Sequence, residues 1–523
     1  MVDRIKLINF KNFRNETISF NSERNIFVGE NGVGKSSLLQ AIALVLSGSY
    51  SWIESIGIDS MINNEAIFDF YRGEKIIEKL PKLQIELYLK NYEGTRPYEL
   101  NGKYNSSEII ADGLSLIISP NIEEFFNEIK ELIENENCVF PFEYYKVEFT
   151  TFCGKSYNSF NRVHKIKYSY LDTSAINYSI TTKKYIEQIY ENQVKVNKHI
   201  VAQSYREISD VFTDRMNTDF LENANKKYSL RLKQVTHKRF TSMLDAHRNN
   251  ISINNFGMGE KVMLGVETLV ISSSENITTI LIEEPENHLS HLNVQKLIDI
   301  IEGSETKQIF IATHSNTIAA KLGLKNTILI NENGRSTCLT DLKDETTRFF
   351  MKSPTNNILN LILTKKAILV EGDAEYILMS KFFEELQGSL PHSSDIAIIS
   401  CGGKTFKRYL DVAGKLCKKI VVITDNDHDY NKNIKENYHD FLSLENIKIK
   451  ADTNNLNYTF EICLYNENQE YYDKIFKTSS MSGGVESYLL KNKAEAAFRL
   501  LEEYPDKFII PAYIKEAINW IID

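Results

Sequence analysis

The sequence predicts an α/β chain built from two sheet-based units, one over roughly the first 345 residues and one over 365–523. Three observations predict it. An apolar strand at 26–28 runs into the glycine-rich loop Gly29-Glu30-Asn31-Gly32-Val33-Gly34-Lys35-Ser36 and then into a helical run at 38–44. Two further apolar strands, at 279–282 and 308–312, lead into Glu283-Glu284 and Thr313-His314-Ser315. After residue 365, three short apolar runs at 367–370, 396–400 and 420–423 alternate with helical segments. Near-continuous apolar runs of this length suit parallel strands covered on both faces, and their alternation with helices marks an α/β unit.

In chain order, 5–10 alternates apolar and polar residues and reads as a strand, followed by short strands at 17–20 and 26–28. The segment 83–89 alternates cleanly and is another strand. Residues from about 100 to 245 are rich in Asn, Tyr, Glu and Lys, with helical stretches at 122–133 and 185–213. The expected organisation is the N-terminal part of the first domain at 1–164 and a helical insertion at 165–235, a candidate for dimerisation. The C-terminal part of the first domain then spans 236–345, a connection 346–364, and the second domain 365–523.

With 523 residues the chain is long enough for two or three cores. A hydrophobic fraction of 42% with 25% charged residues is that of a soluble globular protein. No stretch reaches the roughly 18–20 apolar residues of a membrane span, and 1–6 lacks the apolar core of a signal peptide. The six cysteines, at 138, 153, 338, 401, 417 and 463, form no CxxC pair. That argues for a reducing cytoplasm and against structural zinc. The net charge of −9 is not that of a generic nucleic-acid binder, yet acidic metal sites can mask a local basic groove.

GENGVGKS at 29–36 is a complete phosphate-binding loop between a strand and a helix. Gly29, Asn31, Gly32 and Gly34 let backbone N–H groups wrap phosphates, and the helix N-terminus faces them. Lys35 pairs with the β/γ-phosphates, the Ser36 hydroxyl binds Mg²⁺, and Ser37 adjoins them. Glu283 and Glu284 end a buried strand: the first holds Mg²⁺, the second orients or deprotonates the attacking water. Gly257 and Gly259 occupy the place of a signature loop that contacts ATP held by an opposite protomer. His314 stands where a histidine senses the γ-phosphate, and Gln84 is a Q-loop candidate. The order of these segments resembles the ABC ATPases. The opening INFKNF and the loop GENGVGKSSLLQAI resemble their RecF and SMC branch.

In the second unit, Glu371 follows a strand and precedes Gly372-Asp373-Ala374-Glu375. About fifty residues on, a strand ends in Thr424-Asp425-Asn426-Asp427-His428-Asp429. Carboxylates at strand tips lie where open α/β sheets place ligands, and hard oxygen donors suit Mg²⁺ or Mn²⁺ rather than zinc. The order and spacing resemble a Toprim domain. With it the chain resembles the OLD (overcoming lysogenisation defect) family of ATP-dependent nucleases, at both ends but not over 100–245. EEPENHLS at 283–290 looks like that family's EEPExHLHP, departing at its end, where Ser290-His291-Leu292 stands. Asn457-Tyr458-Thr459-Phe460-Glu461 is similar to its Thr-Leu-Glu segment, and 490–497 resembles its late lysine motif. The resemblance implies that Glu371, Glu375, Asp425, Asp427 and Glu461 bind divalent ions and that Lys493 contacts the scissile phosphate. It also implies an ABC-plus-Toprim, Rossmann-like architecture, ATP as cofactor, and a role in bacterial defence against phage. Nucleases of this type accompany helicases in Gabija-type systems, or reverse transcriptases with their RNA–DNA product in retrons, the setting favoured by length and short insertion.

Lys404, Lys407, Arg408, Lys415, Lys418 and Lys419 lie between the two carboxylate clusters, opposed only by Asp411. They are the candidate contacts to a nucleic-acid backbone, DNA above all, or else one solvated helix face. A weaker basic patch lies at 231–239. The expected protein is a homodimer or larger, because a signature loop must close on its partner's nucleotide. The competing reading is a RecF/SMC-like ATP-driven clamp or sensor that does not cut. A topoisomerase or primase lacks support, since neither a catalytic tyrosine domain nor a zinc module is visible.

Overall fold

The alternation at the start of the chain becomes strand Val2–Phe10, paired antiparallel with Phe13–Ser19 on one side and Leu83–Leu89 on the other. Ala111–Pro120 extends this sheet and carries Asn101–Gly102 and Tyr145–Thr151. The computed structural model describes residues 1–90, 97–135, 139–173, 186, 190, 198–220, 244–271, 278–304, 307–353, 357–476, 484–504 and 507–523. Among the described residues, no helix is long and apolar enough to cross a membrane.

A second sheet runs in the order Ser336–Cys338, Thr327–Ile330, Arg24–Val28, Gln308–Ala312, Thr279–Glu283, Tyr168–Asp172. All its pairings are parallel except the edge hairpin. Every residue of Thr279–Glu283 and Gln308–Ala312 is buried, which is why both read as unbroken apolar runs. The register sets Glu283 beside Ala312 and Asp172 and Val28 beside Leu329. The phosphate loop and the paired carboxylates therefore leave the sheet at one edge. The strand Tyr168–Asp172 corrects the expected boundary at 165, because these residues complete the nucleotide-binding sheet. Of the expected insertion, the helix Lys198–Arg215 is seen; most of the rest, and the basic patch at 231–239, lie outside the described residues.

Helix Lys35–Ser47 is packed between the two sheets. Its Leu38, Ile42 and Val45 share a core with Leu83, Ile85 and Leu87 of the first sheet, and with Phe27, Leu281 and Phe310 of the second.

The C-terminal unit is a four-stranded, all-parallel sheet in the order Ile396–Ser400, Lys366–Val370, Lys419–Ile423, Ile447–Lys450. Ile368, Val370, Val421 and Ile423 face one set of helices, among them Asp373–Gln387 and Ala512–Ile522. Leu369 and Val422 face the other way, into a core that also holds Ile26, Ile282 and Ile311 of the nucleotide-binding sheet. Between the units the described residues are mostly helical. Helices Asp344–Lys352 and Ile358–Leu363 bury Phe350, Ile358 and Leu361 completely. The Leu359 N–H donates to Asn316 Oδ1 at 2.9 Å. The two units thus share one hydrophobic core.

Candidate active sites

At the phosphate loop, backbone crowding explains the first glycine. A Cβ on Gly29 would fall 2.5 Å from the Ile330 carbonyl oxygen. Gly34 takes a left-handed φ of 114° at the helix start, a conformation that side chains disfavour. The Lys35 ammonium is folded back onto its own loop, donating to the carbonyls of Gly29 at 2.9 Å and Glu30 at 2.8 Å. Burial lowers its pKa, against the pull of Glu284, Glu286 and Glu283. A phosphate entering the loop would replace two carbonyl acceptors with charged oxygens. Asn31, Gly32 and Ser36 are exposed at the mouth, and Ser37 lines an adjoining cleft of about 870 Å³. Lys11, Asn12, Arg14 and Arg335 also line it. Their approach comes from the first sheet and the edge hairpin, so local sequence offered no signal.

The carboxylate pair is held from several directions. Tyr170 donates to Glu283 Oε2 at 2.5 Å, and the Thr173 hydroxyl donates to the carbonyls of Glu283 and Glu284 at 3.0 and 2.7 Å. Glu284 has a left-handed φ of 44°, the kind of strain that persists when surrounding contacts over-determine it. Asn287 Nδ2 donates to Glu284 Oε2 at 2.8 Å, leaving Oε1 3.8 Å from His314 Nε2. Burial and Lys35 pull the His314 pKa below its ordinary value, while Glu284 and Glu286 oppose. Glu286, which the motif reading passed over, accepts from the Thr313 hydroxyl at 2.7 Å and the His314 N–H at 2.8 Å. It ties the histidine loop to the carboxylate strand.

Gln84 is the second residue of strand Leu83–Leu89, and its amide donates to Glu86 Oε1 at 2.7 Å. It is not among the residues lining the cleft, because the buried Glu86 holds it within the first sheet. Gly259 packs on the turn after the carboxylates, where a Cβ would meet the His288 carbonyl oxygen at 2.4 Å. Gly257 is exposed, with open space around it.

The second constellation forms at the carboxyl edge of the C-terminal sheet. Glu371 leaves Lys366–Val370, and its carbonyl accepts the Gly403 N–H at 2.8 Å. Glu375 lies in the first turn of Asp373–Gln387 and accepts the Gly372 N–H at 3.2 Å. Asp425 follows Lys419–Ile423, and its Oδ1 accepts the Phe460 N–H at 2.7 Å. Glu461 begins helix Phe460–Glu467 and is 5% exposed. Burial, then Glu461 and Glu371, push Glu375 up to about 7. Burial, then Glu371, Glu375 and Glu461, push Asp425 up to about 7. The Lys493 ammonium stands 3.0 Å from Glu461 Oε2. Burial works against its charge, but Glu461, Asp425 and Glu375 outweigh that and raise its pKa.

Glu371 Oε2 and Glu461 Oε1 are buried without a hydrogen bond, while Glu461 Oε2 faces the Lys493 ammonium. Buried carboxylate oxygens normally have partners, so an oxygen-seeking cation fits them. Among the described residues, no three acidic, His or Cys side chains close into a metal cage. Asp427 lies farther out, half-exposed with Lys404 against it. Asp429 instead accepts the Lys432 N–H at 3.1 Å and shapes a turn.

The crowding has a pH consequence. Both carboxylates have folded-state pKa values above their ordinary 4.5 and 3.8. Their contribution to stability is therefore complete below about pH 4 and is lost as pH rises through about 7. In EDTA the melting temperature should fall between pH 5.5 and pH 8, and Mn²⁺ or Mg²⁺ at pH 8 should recover it. A melting temperature indifferent to metal at pH 8 would refute the metal assignment.

The six basic residues do not form one surface. Lys404 reaches Asp427, and Lys407 lies over the Tyr438 ring at 5.8 Å. Arg408 pairs with Glu345 at 2.9 Å and Lys415 with Asp341 at 3.5 Å, both across the junction between units. Lys419 lies over Trp520 at 4.8 Å. Lys418 lines a cavity of about 350 Å³ together with Glu30 and Lys365. Burial lowers its pKa while Glu30 of the phosphate loop opposes. Much of this charge thus has partners distant in sequence, while Lys404, Lys407 and Lys415 keep exposed side chains.

The family model described as "AAA domain, putative AbiEii toxin, Type IV TA system" matches residues 24–320. That described as "Overcoming lysogenization defect protein-like, TOPRIM domain" matches residues 362–427. The DNA replication and repair protein RecF of Acetivibrio thermocellus is 22% identical over 347 residues, 59% of this chain and 92% of RecF. The Septu protein PtuA of Bacillus mycoides is 46% identical over 134 residues, 24% of this chain and 14% of PtuA. Among solved structures, the C-terminal region of the Burkholderia pseudomallei OLD protein covers 30% of this chain at 23% identity. Its TM-score is 0.26, with 97% of that chain matched.

Proposed function

The chain belongs to the OLD family, in which an AAA-type ATPase is joined to a Toprim nuclease domain, and from that premise we propose that it is an ATP-regulated, divalent-metal-dependent DNA endonuclease. The observation that carries this reading is that Glu371, Glu375, Asp425 and Glu461 lie close enough to raise the pKa of Glu375 and Asp425, with Lys493 against Glu461. A bound Mg²⁺ or Mn²⁺ supplies Lewis acidity and an activated water for attack on the phosphodiester. The acids hold the cation, with Asp427 at the outer edge. Lys493, 3.0 Å from Glu461 Oε2, would neutralise charge on the attacked phosphate.

In the ATPase site, Glu284 orients the attacking water, Lys35 and Ser36 hold phosphates and Mg²⁺, and His314 senses the γ-phosphate through its contact with Glu284. The exposed Gly257, with Gly259 behind it, closes on the nucleotide of a second copy, so the working form is a homodimer or larger. The shared core and the attraction between Lys418 and Glu30 give nucleotide state a route to the nuclease. In the cell, the protein acts in the cytoplasm as the effector of a multi-component anti-phage system such as a retron. A reverse transcriptase with its RNA–DNA product is the partner in that setting.

The test is incubation of the purified full chain with supercoiled plasmid and Mg²⁺ or Mn²⁺, with and without ATP, against an EDTA control. Metal-dependent nicking or linearisation is the expected result. ATP turnover and DNA retention with no cutting under any of these conditions would favour the clamp reading, for which the RecF likeness is the support.

A further inference from the structure

Beside the metal site lies a ring pair, His428 and Tyr458, that neither catalytic set uses. Asp427 and His428 are consecutive left-handed residues, with φ of 45° and 67°. Non-glycine residues seldom adopt this conformation, least of all in pairs. It is enforced by Asn426, whose buried amide donates to the carbonyls of Asp452, Asn454 and Asn457 at 2.8, 2.9 and 3.2 Å. Asn426 Oδ1 accepts the His428 N–H at 3.0 Å, and the Asp427 N–H donates to the Tyr458 carbonyl at 3.1 Å. Two loops are thereby stapled together, and the His428 ring lies on the Tyr458 ring with centroids 3.8 Å apart at 23°.

This stack is not core packing. His428 is exposed, and Tyr458 is partly so. The segment that follows adds positive charge: the exposed Lys432, and the exposed Lys435 over the Tyr430 ring at 5.7 Å. Aromatic rings interleaved with cations suit a strand whose bases are free to stack and whose phosphates need neutralising. A base inside a duplex has both faces covered by its neighbours and offers neither to a protein ring.

We propose that the His428–Tyr458 pair is a stacking platform for an unpaired nucleotide next to the scissile phosphate. The nuclease then prefers single-stranded, gapped or frayed nucleic acid to intact duplex. The proposal rests on the nuclease reading of the adjacent carboxylates and adds a substrate class to it.

The test uses the full chain with an oligonucleotide carrying 2-aminopurine, single-stranded or in duplex. Binding is read in EDTA by fluorescence quenching, and cleavage in Mn²⁺. The variants are Tyr458→Leu, Tyr458→Phe and His428→Asn, the last because Asn tolerates left-handed backbone. Leu and Asn should each weaken single-strand binding on the order of tenfold and leave duplex binding unchanged, whereas Phe should retain it. Equal loss on both substrates, or no loss, overturns the platform. Cleavage that needs Asp425 but ignores Tyr458→Leu on every substrate also overturns it, while the nuclease reading stands. Quenching that depends on Tyr458, without cutting of any substrate, supports the platform and removes the nuclease reading.

Discussion

Asp425→Asn is expected to abolish phosphodiester cleavage while leaving ATP hydrolysis at the wild-type rate. The substitution is close to isosteric, and the retained carbonyl can still accept the Phe460 N–H that now reaches Oδ1 at 2.7 Å. The fold therefore has no reason to change. What is lost is one negative charge at the centre of a cluster that includes Glu371, Glu375 and Glu461. Cation chemistry supplies several kcal/mol of transition-state stabilisation, so the rate should fall on the order of a thousandfold. Removing a carboxylate that repels three others should also raise the metal-free melting temperature at pH 8, because those neighbours help push its pKa up to about 7. The combination separates a ligand from a structural acid: stability rises as activity disappears. Plasmid nicking within tenfold of wild type, or a melting temperature that drops, would count against the assignment.

The sequence made most of both sites legible because their residues sit in short segments tied to a strand end. GENGVGKS, Glu283-Glu284 and Asp425-Asn426-Asp427 each follow a buried strand, and the register of a parallel sheet brings those ends to one edge. What stayed hidden depends on partners far away in the chain. Arg408 and Lys415 read as free charge until Glu345 and Asp341 arrive from another helix and loop. The strand Tyr168–Asp172 lacks the apolar run of its neighbours, since it covers an edge with tyrosines 168 and 170 partly buried. Gln84 matched a motif by position, but the carboxylate that holds it, Glu86, is two residues away on the same strand. The connection at 346–364 looked like a linker because its apolar residues are divided between two short helices.

Glu284→Gln should stop ATP hydrolysis while preserving ATP binding. Its carboxylate has one oxygen occupied by Asn287 at 2.8 Å and the other facing His314 at 3.8 Å. One edge is fixed and the other is left for water. An amide can keep the Asn287 contact but cannot accept a proton, and removal of a positioned base costs roughly a hundred- to ten-thousandfold. The strained backbone at Glu284, φ 44°, is unaltered by the exchange. Lys35 is untouched, so nucleotide should still bind and, with no hydrolysis to release it, should hold two copies together. Size-exclusion chromatography with light scattering in ATP should show a persistent dimer for Glu284→Gln, a transient one for wild type and none for Lys35→Ala. The nuclease then reports how the units are coupled. Because the nucleotide-binding sheet and the Toprim sheet share one core, and Lys418 of the latter is drawn to Glu30 of the phosphate loop, trapping one nucleotide state should fix cleavage at one level. ATP and ADP would then cease to differ in their effect on the trapped protein. Cleavage that continues to follow added nucleotide after hydrolysis has stopped would mean that occupancy, rather than turnover, sets the nuclease.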